Sequence, residues 1–345
     1  MKNKLMITTA IVGLAFSANA ANAQTTVSGN LNLGYKAVGN KATKANSFDG
    51  FTKESQINIA NKGSLNNGWT YAAGTSIEMD GTETGTTGMF SENTYIDLIT
   101  GNTTITIGAD HIQNSDFSMA NIVGFADFTE LADGIGGKQS VALDGHGSPY
   151  NAYGVGIMQK TAFGQFSLLY TPSASGSTAM NDITNTATKA QTGSANAAYE
   201  IGFRGDLGIK NLDAAVFYNA TDTETPGEAT KTNKAKNKLG AAKYTFANNL
   251  SIAAEKGVST ATTGLDTTTN AYGIAYAMSP NASIGYTYVK TDVDGSAKDE
   301  TLHTVALGYS LGPVAANLQY LSAENVANTD AADGEVIMFS LTTKF

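Results

Sequence analysis

Acidic side chains raise the first chemical question. Between His111 and Tyr150 stand Asp116, Asp127, Glu130, Asp133 and Asp144, with Lys138 as the only Lys or Arg among them. Carboxylates so arranged can line a passage for cations, hold a hard metal ion, or cap turns in water. A second cluster, DVDGSAKDE, brings Asp292, Asp294 and Asp299 together in sequence. Hard cations want several carboxylates, so a structural calcium ion is a candidate there, although the twelve-residue calcium-loop spacing is not met. Opposing charge is sparse: Lys36, Lys243, Lys344 and the single arginine, Arg204. GIGGKQ at 134–139 lacks the Ser or Thr that a phosphate loop places after its lysine. His111, His146 and His303 show no metal-ligand spacing, and no nucleophile–base set emerges. Neither catalysis nor a cofactor is expected.

The bulk properties narrow the field. Lys2 and Lys4, the apolar run from Leu5 to Phe16, and Ala21-Asn22-Ala23 together read as a cleaved export leader. It covers residues 1–23 and leaves a chain starting at Gln24. Net charge is −9 for all 345 residues, and losing Lys2 and Lys4 takes it to −11. That sign excludes ordinary nucleic-acid binding. There is no cysteine, hence neither a disulfide framework nor a lipidated thiol.

The residues must be positioned by strands. Beyond the leader no run approaches the ~18 to 20 apolar residues of a membrane helix. What recurs is period-two alternation over roughly ten residues, broken by Gly, Asn, Asp and Thr. In GWTYAAGTSIEMD, Trp69, Tyr71, Ala73, Ile77 and Met79 share one face, and Thr70, Ser76, Glu78 and Asp80 the other. Alternate strand side chains point to opposite sides, so one face is apolar and the other wet. Tyr199, Ile201 and Phe203 likewise oppose Glu200 and Arg204. The pattern predicts sixteen strands: 25–38, 51–61, 68–80, 90–100, 103–110, 151–160, 164–171, 195–204, 211–220, 237–246, 249–257, 269–278, 281–291, 300–310, 313–323 and 334–345.

Links after even-numbered strands are short, such as GN at 101–102 and SP at 279–280. Links after odd-numbered strands are long, and the third, 111–150, is the longest. All five prolines fall in links or at strand ends. Such sorting belongs to a transmembrane barrel with tight periplasmic turns and long external loops. Lipid offers the backbone no partners, so a sheet inside it must close on itself. A soluble sandwich would turn its polar face outward and would not sort its turns by length. Aromatics near strand ends, including Tyr35, Trp69, Phe90, Tyr170, Tyr244, Phe246 and Tyr309, suit two interfacial girdles.

The last strand reads GEVIMFSLTTKF, with Ile337, Phe339, Leu341 and Phe345 on one face. This ending resembles the assembly signal of outer-membrane barrels, carried by Phe345, Leu341 and Phe339. With the leader, the start TTVSGNLNLGYKAV and the hairpin TYIDLITGNTTITIGAD, residues 24–345 resemble a Gram-negative general porin. Within that group they resemble the sixteen-stranded porins of alphaproteobacteria. The resemblance implies an all-β antiparallel barrel in the outer membrane, working as a homotrimer with one pore per protomer. It implies that the 111–150 loop folds into the lumen, where its acids face basic wall residues such as Lys36, Arg204 and Lys243. Outer-membrane lipid, lipopolysaccharide and the barrel-assembly machinery, engaged through the last strand, are the expected partners. The expected function is passive diffusion of small hydrophilic solutes and ions with a mild cation preference. The alternative is a plugged barrel serving as a surface adhesin or structural protein. An outer-membrane enzyme is more distant still.

Overall fold

A computed structural model describes residues 24–40, 48–79, 90–109, 153–171, 195–224, 233–261, 265–326 and 333–345. Among them run β1 (Gln24–Asn40), β2 (Phe48–Ser64), β3 (Thr70–Glu78), β4 (Phe90–Thr100), β5 (Thr103–Ala109), β6 (Tyr153–Thr161), β7 (Gly164–Thr171) and β8 (Ala195–Gly205). They continue with β9 (Leu212–Glu224), β10 (Asn233–Thr245), β11 (Leu250–Ala261), β12 (Thr267–Ser279), β13 (Ala282–Val293), β14 (Glu300–Ser310), β15 (Val314–Glu324) and β16 (Gly334–Lys344). Each pairs antiparallel with its chain neighbours, and β16 returns to β1, so the sixteen strands form one closed barrel. The predicted count, order and closure all hold.

The predicted limits hold less well at the long-loop end. β2, β9 and β10 run several residues past the alternating stretch, into Phe48–Gly50, Thr221–Glu224 and Asn233–Lys236. Hairpin hydrogen bonds continue there after the apolar face is no longer required, so polar sequence still forms strand. Trp69 falls in the link before β3, where its carbonyl accepts the Leu65 N–H at 2.7 Å. The short turns have the chemistry their length demands. In the two-residue turn between β4 and β5, Gly101 sits at φ +55°, the first central position of a hairpin turn that needs positive φ.

Register fixes which face is which. Leu33 and Tyr35 of β1 stand opposite Leu341 and Phe339 of β16, and all four are exposed on the outside. The same row passes through Ile96, Ile107, Ile157, Leu168, Ile201, Val216, Ile274, Val305 and Leu318. Exposed apolar side chains on most of the strands are the mark of a surface solvated by lipid. Aromatic rings gather at both edges of this band. Tyr244 and Phe246 meet edge to face 5.0 Å apart near the short-turn end, while Tyr35–Phe51 and Tyr199–Tyr218 pair at 5.7 and 6.2 Å towards the other.

Closure happens around one glycine. Gly29 donates its N–H to the Phe345 carbonyl at 2.8 Å and accepts the Phe345 N–H at 3.1 Å. The Phe345 ring lies over Gly29, where an added Cβ would stand 2.6 Å from its Cζ. The missing side chain is thus the seat of the ring, an aromatic covering a strand glycine.

Candidate functional site

The wall of the lumen follows from the other parity. Ser76 and Glu78 of β3, Asp97 of β4, Thr106 of β5, Glu200 of β8, Asn219 of β9, Asn237 of β10 and Glu255 of β11 all point inward. They are buried, with Glu200 and Asn219 at 0% exposure. Cross-strand bonds tie them together. Asn237 Nδ2 donates to Asn219 Oδ1 at 3.1 Å, and Asn219 Nδ2 donates to Glu200 Oε2 at 3.1 Å. Thr106 Oγ1 donates to Asp97 Oδ1 at 2.6 Å, and Ser76 Oγ donates to Asn58 Oδ1 at 2.7 Å. Bonds of this kind fix side chains that would otherwise sweep the passage.

The basic residues named from sequence also face inward. Lys36 lies near the long-loop end, opposite Met338. Arg204 and Lys243 lie near the short-turn end, and the structure brings them together on an acid that sequence reasoning left out. Arg204 Nε and Nη2 donate to Asp213 Oδ1 and Oδ2 at 3.0 and 2.8 Å, and Lys243 Nζ stands 4.0 Å from Oδ2. A bidentate guanidinium–carboxylate pair holds both planes in place. The signal was available: Asp213 has the parity of Phe217 and Asn219, one strand from Arg204.

Charge is unevenly distributed along the axis. Among described inward residues, Lys62, Lys160, Arg204, Lys243 and Lys344 ring the short-turn mouth with Asp213. From midway to the long-loop end the wall carries Glu54, Glu78, Glu200, Glu255 and Glu300 against Lys36 alone, with Asp97 lower down. Beside them runs an inward apolar arc that alternation did not predict: Val38, Phe217, Leu239, Val289, Leu302, Leu321 and Val336, each at most 4% exposed. Polar and apolar groups therefore share the inner wall, as on β9, where Phe217 and Asn219 are inward neighbours, and on β14, where Glu300 and Leu302 are.

Asp116, Asp127, Glu130, Asp133 and Asp144 lie outside the described residues. The calcium candidates do not converge. Asp299 accepts the Lys290 ammonium at 2.5 Å, and Asp292 faces outward opposite Thr268. Among the described residues no three His, Asp or Glu side chains gather as a metal would require. Phe339, Leu341 and Phe345 share the outward row, as expected.

Comparison with known proteins agrees with this geometry. The family model described as Gram-negative porin matches residues 8–341. Among solved structures the fold resembles an anion-selective porin from Comamonas acidovorans, with TM-score 0.67 and 13% identity over 94% of this chain and 100% of that one. It also resembles the trimer form of OmpT of Vibrio cholerae, with TM-score 0.63 and 12% identity over 94% and 100%. A mutant of Rh. blastica porin matches with TM-score 0.61 and 13% identity over 93% and 100%. Identities this low speak for the fold alone and do not single out one bacterial group. No curated protein sequence matches the chain. A closed sixteen-stranded barrel with a lipid-facing apolar band and a polar wall inside, matched over almost its whole length by one family model, belongs to the Gram-negative porins, the non-enzymatic channels of the outer membrane.

Proposed function

We propose that this porin is a general diffusion channel for small hydrophilic solutes and ions, mildly selective for cations. The observation that carries the reading is the run of five inward glutamates, Glu54, Glu78, Glu200, Glu255 and Glu300, against Lys36 among the described residues of the outer half of the passage. Fixed negative charge beside a narrow aqueous path raises the local cation concentration. The acids of the 111–150 loop add to it if that loop enters the lumen as the family resemblance implies. Export would use residues 1–23 as leader, and the alphaproteobacterial likeness rests on the motifs of the chain alone.

A homotrimer is part of the same proposal. The outward face of β2–β4 carries polar groups where other strands carry apolar ones. Thr75 and Thr94 bond at 2.9 Å mid-strand, and towards the short-turn end Tyr71 donates to Asn61 Oδ1 at 2.6 Å and Asn61 donates to Thr25 of β1 at 2.9 Å. Polar groups facing hydrocarbon are costly, whereas a neighbouring protomer tolerates them. The similar OmpT of Vibrio cholerae has a trimer form.

Single-channel recording in a planar bilayer under a salt gradient tests the function. The expected result is a steady open level with a reversal potential of cation sign, weakening as salt shortens the Debye length from about 10 Å at 0.1 M to about 3 Å at 1 M. Asp127→Asn, Glu130→Gln and Asp133→Asn together should move that potential towards zero. Absence of any open level would favour the plugged adhesin or structural barrel. Anion preference in the unmodified protein would mean that the lysines of the mouth govern the path.

A further inference from the structure

On the outward face the described cations are clustered. Of the outward-facing lysines, Lys53 stands alone on β2, and Lys236, Lys238, Lys256 and Lys290 occupy β10, β11 and β13. β5 to β9 carry no described Lys or Arg on that face. Register gives the arrangement. Asn270 of β12 stands directly opposite Lys256 on one side and Lys290 on the other. Lys256 and Lys290 are thus two strand spacings apart, about 10 Å. Lys238 is diagonal to Lys256, at about 7–8 Å, and Lys236 follows it one outward step up the strand.

Depth matters as much as clustering. Tyr218 is directly opposite Lys238, and Tyr272 and Tyr288, opposite each other, lie one outward step below Asn270 and Lys290. These rings mark the membrane edge at the external end, so the lysines stand where lipid headgroups begin. Lys290 is held by Asp299. The ammonium groups of Lys236, Lys238 and Lys256 form no ion pair or hydrogen bond with a described residue, and all three residues are exposed. Three ammonium groups on the outward face of two neighbouring strands favour an anion with more than one charge. The register places Asp292 one outward step above Lys290, and Asp222 opposite Lys234 and diagonal to Lys236, so these acids lie on the loop side of Lys238 and Lys256.

We propose that the outward face of β10–β13 is a docking site for the phosphorylated glycolipid of the outer leaflet, lipopolysaccharide, with Lys236, Lys238 and Lys256 holding its phosphates. Lys290 and Asn270 border the site, and Tyr218, Tyr272 and Tyr288 lie against the sugar–acyl boundary. The inference rests on the reading of lipopolysaccharide as a partner and names where it binds.

The test uses the full barrel purified in detergent and titrated with lipid A bearing both phosphates, read by native mass spectrometry. The triple variant Lys236→Gln, Lys238→Gln, Lys256→Gln should bind at least about tenfold more weakly, as expected for three lysines near an anionic surface. Lys53→Gln should bind like the parent, and dephosphorylated lipid A should bind parent and triple variant equally weakly. Unchanged single-channel conductance of the triple variant shows that the barrel is intact. Equal affinity of parent and triple variant for diphosphorylated lipid A overturns the site while leaving the partner in place. No binding by the parent at all removes the partner reading too. Displacement of the glycolipid by millimolar inorganic phosphate would also overturn the proposal, since it would make free phosphate the ligand.

Discussion

A chain ending at Lys344 should give several-fold fewer assembled barrels, while those that do form conduct like the parent. The reason lies at the seam. Every strand pair is made between chain neighbours except β1 with β16, which joins Asn30 to Lys344 across the whole sequence. Loop-closure entropy makes that pairing the slowest to form, so small losses there act on the step that decides success. Removing Phe345 deletes two backbone hydrogen bonds to Gly29 and the ring that covers it. Gly29→Val should reproduce the defect from the other side. Its Cβ would stand 2.6 Å from the ring and 2.5 Å from the Gln56 carbonyl, and the backbone cannot yield as a flexible side chain would. Folded yield is read from the heat-resistant band on a gel, and pore quality from single-channel conductance. Normal yield in both variants would show that the seam does not need this contact.

Leu168→Arg should destabilise the folded barrel by about 2–4 kcal/mol, the cost of a cation on the lipid face near mid-membrane. Leu168 sits in the middle of β7, outward, flanked by Ile157 and Ile201 across both pairings. Gln159→Arg, outward on β6 at the short-turn end, should cost about 0–1 kcal/mol because its guanidinium reaches water. Equilibrium unfolding in guanidinium with the barrel in lipid measures both. Equal costs at the two sites would mean that the band of exposed apolar residues is not in contact with hydrocarbon.

How much of this was legible in the sequence depends on whether lipid enforced it. Where one face must be apolar, alternation is strict, and Tyr199, Ile201 and Phe203 fixed the facing of β8 without help. Beyond the band, at Thr221–Glu224 or Asn233–Lys236, nothing enforces alternation and the strands ran on unseen. The inner face is less constrained still. Glu78 and Glu200 were placed on the wet side by parity, yet nothing marked them as more than solvated acids. Their burial depends on neighbours such as Asn219 that arrive from other strands. Phe217, Leu239 and Leu302 broke the expected pattern altogether, because an interior can pack apolar groups against one another at no cost to the lipid face. Asp213 was passed over for a plainer reason: it belongs to Arg204 only once β8 and β9 are laid side by side.

The unequal placement of acids and bases along the axis has an electrical consequence. A passage whose fixed charge is negative towards one opening and positive at the other behaves as a bipolar junction. Cations are enriched in the outer section and anions at the periplasmic mouth. When the external side is made positive, both kinds are driven towards the junction between the sections, and carriers accumulate. When the polarity is reversed, both are drawn away and the junction is depleted. Current–voltage curves of single channels should therefore be asymmetric at low salt, with more current when the external side is positive, and linear near 1 M, where charges are screened over about 3 Å.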